Sequence, residues 1–145
     1  MKGPLSPQYI KLYNFEQAAK TVHKMVLDFN MQHQVMVSSF VPEIVTEMAR
    51  CLELKHEFML CRLLNNNEVA ETDYTPQRGT DGINISATYL TKEIVDQTHA
   101  LGKTVGVYLS RAHSFETKVM YDQVFSLGVD FVYFDGPMPA MEHRG

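Results

Sequence analysis

The stretch Leu127-Gly128-Val129-Asp130-Phe131-Val132-Tyr133-Phe134-Asp135-Gly136-Pro137 constrains the fold more than any other part of the chain. A glycine that can end a helix precedes a short apolar run, and the run closes on an acid and a Gly-Pro turn. Phe131 to Phe134 shows no polar alternation, which predicts a strand buried on both faces, as parallel sheets require. Asp135 then falls at the C-terminal end of that strand, the edge where α/β sheets and barrels place their ligand groups.

Upstream, the chain repeats this unit. Asn14 with Gln17 three residues on has the arrangement of a capping box. Phe15, Ala18, Ala19, Val22, Val26 and Phe29 then follow at helical spacing, predicting a helix with one buried stripe. Gln34 to Ser38 reads as a strand closing at Ser38-Ser39-Phe40. Pro42 suits the first turn of the next helix, where its missing N–H costs nothing; Ile44, Val45, Met48, Ala49 and Leu52 form its inward side. Phe58 to Leu64 reads as another strand. Asn65 to Asp81 is polar and without periodicity, a length of loop that fits either a binding loop or a surface insertion.

Gly82 to Ser86 reads as a brief strand. Thr91 can cap a helix whose inward residues are Ile94, Val95, Thr98 and Leu101, ending at Gly102. Thr104 to Leu109 is the next strand. Ser114 can cap a helix running through Phe115, Val119, Val124 and Leu127 to Gly128. Leu101-Gly102 and Leu127-Gly128 thus each end a helix and precede an apolar strand, a weak repeat with the period of one βα unit. About five strands and four helices in alternation give a parallel α/β sheet. Two architectures remain: an open sheet, or part of a (β/α)₈ barrel, which usually needs about 250 residues.

Composition narrows the partners. At 145 residues and 45% hydrophobic content the chain fits a single domain, 1–145, with a real core. A net charge of −4 argues against nucleic acid or an anionic membrane as main partner, since both need clustered Lys and Arg. No run of about 18 apolar residues is present, so no transmembrane helix is expected. The start Met1 to Pro7 has no apolar h-region. Cys51 and Cys61 lack metal-ligand spacing and read as reduced core cysteines. Together these favour the cytoplasm without deciding the compartment.

Three segments in order resemble the C-terminal part of the glycerophosphodiester phosphodiesterases, which are TIM barrels. Val35 to Phe40 is similar to that family's apolar strand ending in Ser-Phe. Val105 to Ser110 is similar to its strand ending in Trp-Thr, with Tyr108 at the aromatic position. Leu127 to Pro137 is similar to its closing Gly-Val-Asp…Thr-Asp-x-Pro segment, with Phe134 at the usual Thr. Met1-Lys2-Gly3-Pro4 is similar to the end of its Glu-x-Lys-Gly strand. The resemblance implies about strands four to eight of the barrel.

It also implies metal-dependent hydrolysis of a small-molecule glycerophosphodiester to glycerol 3-phosphate and an alcohol. The divalent cation, Mg²⁺ or Ca²⁺, is held in that family by carboxylates of a first part that this sequence does not match. On the matched positions, Lys2 would meet a phosphate oxygen, Phe40 and Tyr108 would wall the glycerol part, and Arg111 would face the same rim. Asp135 is the strand-end acid. Glu68, Glu71, Asp73 and Asp81 in the long loop are further acids, and no catalytic residue or metal ligand is assigned. His143-Arg144-Gly145 spells the family's opening motif but has no room around it for a further helix. A second reading, from a different class, is a non-catalytic fragment or interaction module. An incomplete barrel leaves edge strands unpaired, which invites pairing, and two copies, or one copy plus a separate N-terminal part, could close it.

Overall fold

The computed structural model describes residues 1, 3, 6–52, 57–65, 79–108 and 118–133. Helix α1 is the single turn Pro7–Ile10. Helix α2, Phe15–Asp28, begins where Asn14 accepts a hydrogen bond from the Gln17 backbone N–H at 2.8 Å. Only this half of the capping box forms, because the Gln17 side chain reaches forward to Thr21 Oγ1. Strand β1 spans Met36–Ser39, shifted toward the C-terminus of the expected run. The buried Ser39 hydroxyl then accepts from the Val41 N–H at 3.1 Å and turns the chain into α3, Pro42–Leu52, with proline in the first turn as expected. Strand β2 spans Met59–Leu63.

Strand β3, Gly82–Ser86, runs into a short 3₁₀ turn at Ala87–Tyr89. Helix α4, Lys92–Ala100, is capped by Thr91 Oγ1 accepting from the Ile94 N–H at 3.3 Å. Strand β4 is Thr104–Tyr108, helix α5 is described over Lys118–Ser126, and strand β5 is Phe131–Tyr133. The Ser114 cap and Phe115 lie outside the described residues. Strand order is chain order, β1-β2-β3-β4-β5, and β1–β2, β3–β4 and β4–β5 pair in parallel. The α/β fold of parallel βα units is therefore present.

The helices α2, α4 and α5 end alike. An apolar C-cap residue (Phe29, Leu101 or Leu127) is followed by a left-handed residue: Asn30 at φ 53°, Gly102 at φ 68° or Gly128 at φ 87°. In each, the left-handed residue's N–H returns to the carbonyl three residues back, Leu27, His99 or Phe125. Met31 and Lys103 add the longer bonds to Val26 and Thr98, completing Schellman ends. This geometry corrects two inward assignments: Phe29 is 69% exposed and Leu101 59% exposed, because the chain turns away at the C-cap before either reaches the core. Val119 is also exposed; Val124 is buried as read, and Tyr121 joins it on the buried side of α5.

Two compact units divide the chain, one from residues up to Leu63 with the segment ending at Asp81, the other from Leu64 and from Gly82 onward. In the first, Ala19 and Val26 of α2, Val45, Met48 and Leu52 of α3, and Val37, Phe58 and Leu60 form one core. In the second, Ile83 and Ile85 of β3 and Val105 and Val107 of β4 pack with Ile94 and Val95 of α4 and Val124 of α5. Each Val, Ile, Leu, Met or Phe side chain among these contributes about 1.5–3 kcal/mol of burial. Strand β5 differs from the expected doubly buried strand: Phe131 and Val132 are half-buried and Tyr133 is 39% exposed.

Candidate functional site

Two of the five singled-out residues lie within the described chain, one in each unit. In the first unit, Phe40 is a half-buried bend residue directly after β1, placed there by the Ser39 turn into α3. Beside the same strand, the Met1 α-amine donates to the Ser38 carbonyl, Met1 packs on the first core, and a Cβ on Gly3 would stand 2.7 Å from Ile44 Cδ1. In the second unit, Tyr108 is the last residue of β4, half-buried, and its hydroxyl donates to the Leu64 carbonyl at 2.9 Å. Lys2, Arg111 and Asp135 lie outside the described residues, as do Glu68, Glu71, Asp73 and His143-Arg144-Gly145.

Asp81 is described, and its place differs from a free loop acid. It directly precedes β3, the end opposite to the one where ligand groups gather. Its Oδ2 accepts from the Leu60 N–H at 2.8 Å, and its own N–H donates to the Leu60 carbonyl at 2.7 Å. Asp130, directly before β5, repeats the device on β4. Val105 N–H donates to Asp130 Oδ2 at 2.8 Å, Asp130 N–H donates to the Val105 carbonyl at 2.9 Å, and His99 Nε2 stands 2.9 Å from the same carboxylate oxygen. Both aspartates fasten a strand start to its neighbour.

The second unit holds one further arrangement at the other side of the sheet from the helices. Strand alternation sets Asn84, Gly106 and Phe131 at one level and Ser86, Tyr108 and Tyr133 two residues further on. From β5 the Tyr133 side chain crosses β4 at Gly106 and meets β3, where Asn84 Nδ2 donates to its hydroxyl at 2.9 Å. Gly106 is what makes the crossing possible. A Cβ there would stand 2.1 Å from Asn84 Oδ1 and 3.2 Å from Tyr133 Cε2. Asn84 is fully buried, and its Oδ1 has no hydrogen-bond partner among the described residues. The sequence signal for this site was a glycine inside an apolar strand, which marks close approach of another group.

Among the described residues no three His, Cys, Asp or Glu side chains gather to hold a metal ion, so these residues do not by themselves fit the implied cation. Burial raises the Cys51 thiol pKa above its ordinary value, opposed by the nearby Lys20 charge. Neither Cys51 on α3 nor the buried Cys61 on β2 is in a disulfide. No helix among the described residues is long and apolar enough to cross a membrane.

No protein-family model matches the sequence, and no curated protein sequence does either. Solved structures do. A glycerophosphodiester phosphodiesterase from Parabacteroides distasonis is 19% identical with a TM-score of 0.68, covering 97% of this chain and 53% of its own. A Silicibacter pomeroyi protein, inferred to be a glycerophosphoryl diester phosphodiesterase, is 16% identical with a TM-score of 0.75, covering 95% and 47%. An Oleispira antarctica phosphodiesterase, solved with the product sn-glycerol-3-phosphate, is 14% identical with a TM-score of 0.62, covering 90% and 50%. The chain spans about half the length of each. This likeness establishes the fold: parallel βα units matching part of a phosphodiesterase barrel, in place of the open sheet.

Proposed function

We propose that the chain is the C-terminal, substrate-side part of a glycerophosphodiester phosphodiesterase barrel. The complete barrel would hydrolyse a glycerophosphodiester to glycerol 3-phosphate and an alcohol, with a divalent cation neutralising the phosphate oxygens. One observation carries this reading: 90–97% of the chain superposes on about half of two phosphodiesterases, one of them solved with sn-glycerol-3-phosphate. The strand-end residues that resemble the family's fit the same division. Phe40 and Tyr108 would wall the glycerol part, Lys2 and Arg111 would meet phosphate, and Asp135 would stand at the rim of the last strand. The cation ligands would come from outside the described residues, so no step through the metal is assigned to them.

The test is release of glycerol 3-phosphate from glycerophosphocholine with Mg²⁺, with Ca²⁺ and with chelator. The chain alone is expected to be inactive, and the chain joined to the first half of a phosphodiesterase barrel is expected to show cation-dependent turnover. A well-folded completed barrel without turnover refutes the reading. The half-length match also favours a second reading, a non-catalytic module that completes its barrel with another copy. A stable dimer in sedimentation supports that module, whereas a compact monomer counts against it.

A further inference from the structure

The second unit offers a surface that none of the five singled-out residues explains on its own. Across β3, β4 and β5 no side chain carries a charge. On the face away from the helices stand two tyrosines, and each is tied at its hydroxyl to a partner reached across a neighbouring strand. Tyr108 donates to the Leu64 carbonyl, and Tyr133 accepts from the buried Asn84 amide over Gly106. Tyr108 and Tyr133 are register partners, so the two rings belong to adjacent strands at their C-terminal ends. Tyr133 is 39% exposed, enough to be touched from solvent while its hydroxyl is held.

Resting on the function proposed above, we infer that Tyr133 is a specificity-determining residue and Asn84 its positioning residue, and that together they recognise the neutral, hydroxylated carbon part of the ligand and not its phosphate. An uncharged face cannot replace the hydration of a phosphate dianion, which is costly to lose without a cation partner. It can take C–H groups against an aromatic ring and hydroxyls against a phenol. Asn84 acts at second hand. It is fully buried and reaches the ligand only by fixing the ring angle of Tyr133. Gly106 is required because any side chain there would push the amide and the ring apart.

The experiment is isotope-labelled NMR on the full chain, titrated with sn-glycerol 3-phosphate and, separately, with inorganic phosphate. Glycerol phosphate should move the Tyr133 ring and Asn84 side-chain amide signals, and inorganic phosphate should leave both in place. Tyr133→Phe removes only the hydroxyl that Asn84 holds. It should weaken glycerol phosphate roughly five- to tenfold, the scale of one hydrogen bond, without changing the affinity for phosphate. A merely structural tyrosine would leave that affinity ratio unchanged. Should the variant misfold, the wild-type maps decide alone. Binding of glycerol phosphate with Tyr133 and Asn84 unmoved overturns this inference and leaves the proposed function standing. Equal movement by inorganic phosphate also overturns it, as does no binding of either ligand, and both leave the proposed function to the turnover test of the completed barrel.

Discussion

Replacing Asp130 with alanine should cost far more than an aspartate beside a strand usually does. Its carboxylate accepts from Val105 N–H at 2.8 Å, and Val105 is fully buried. Without the acceptor, that amide keeps its desolvation cost and loses its bond, a penalty of roughly 1–3 kcal/mol, toward the upper half because the acceptor is charged. The His99 contact adds little. Its side chains are 38% and 34% exposed, and pairs so wet are worth about 0–1 kcal/mol. The sum is about 2–3 kcal/mol, a fall in Tm of roughly 7–10 °C for a chain of this length. Thermal and urea unfolding followed by circular dichroism would measure it. Asp130→Asn keeps an oxygen for Val105 and should lose about half as much, while His99→Ala should lose less than about 1 kcal/mol. If Asp130→Ala stays within about 0.5 kcal/mol of the parent, or only equals His99→Ala, the strand-fastening account is wrong.

Two other outcomes follow from local geometry. Gly102→Ala should destabilise by about 1 kcal/mol from backbone conformation alone, since φ is 68° and a Cβ there meets nothing within 4 Å; no change in urea midpoint would contradict this. Burial raises the Cys51 thiol pKa, and the thiolate is the reactive form. In a Cys61→Ala background its alkylation should therefore set in at higher pH than for a free cysteine, and higher still in Lys20→Ala. An onset at or below the free-thiol range would count against it.

The helix starts at Asn14, Pro42 and Thr91, and the stops at Gly102 and Gly128, were legible because capping chemistry is local. Alternating helices and apolar strands gave the parallel order for the same reason. What periodicity could not supply was lateral information. Phe29 and Leu101 continue the apolar stripe in sequence, yet the left-handed residue that follows each carries the chain away from the core. Asp81 read as one acid among several in a polar loop, because nothing local links it to Leu60. Asn84 and Tyr133 are 49 positions apart, and only the strand register brings amide, glycine and phenol to one place. Of the candidate site, Phe40 and Tyr108 are at strand ends as read; the roles of all five residues remain proposals for the assays above.

The crossing of Tyr133 over Gly106 also bears on how the chain is made. Synthesis runs from the N-terminus, so β3 and β4 leave the ribosome well before residue 133. Until β5 follows, Asn84 has a register beside Gly106 but no phenol to receive its amide, and burying it would leave the whole side chain unsatisfied. Burying Asn84 before β5 arrives would therefore cost roughly 1–3 kcal/mol. That penalty places the final packing of the second unit on a contact of 49 positions' separation, and contacts of such separation are slow to form.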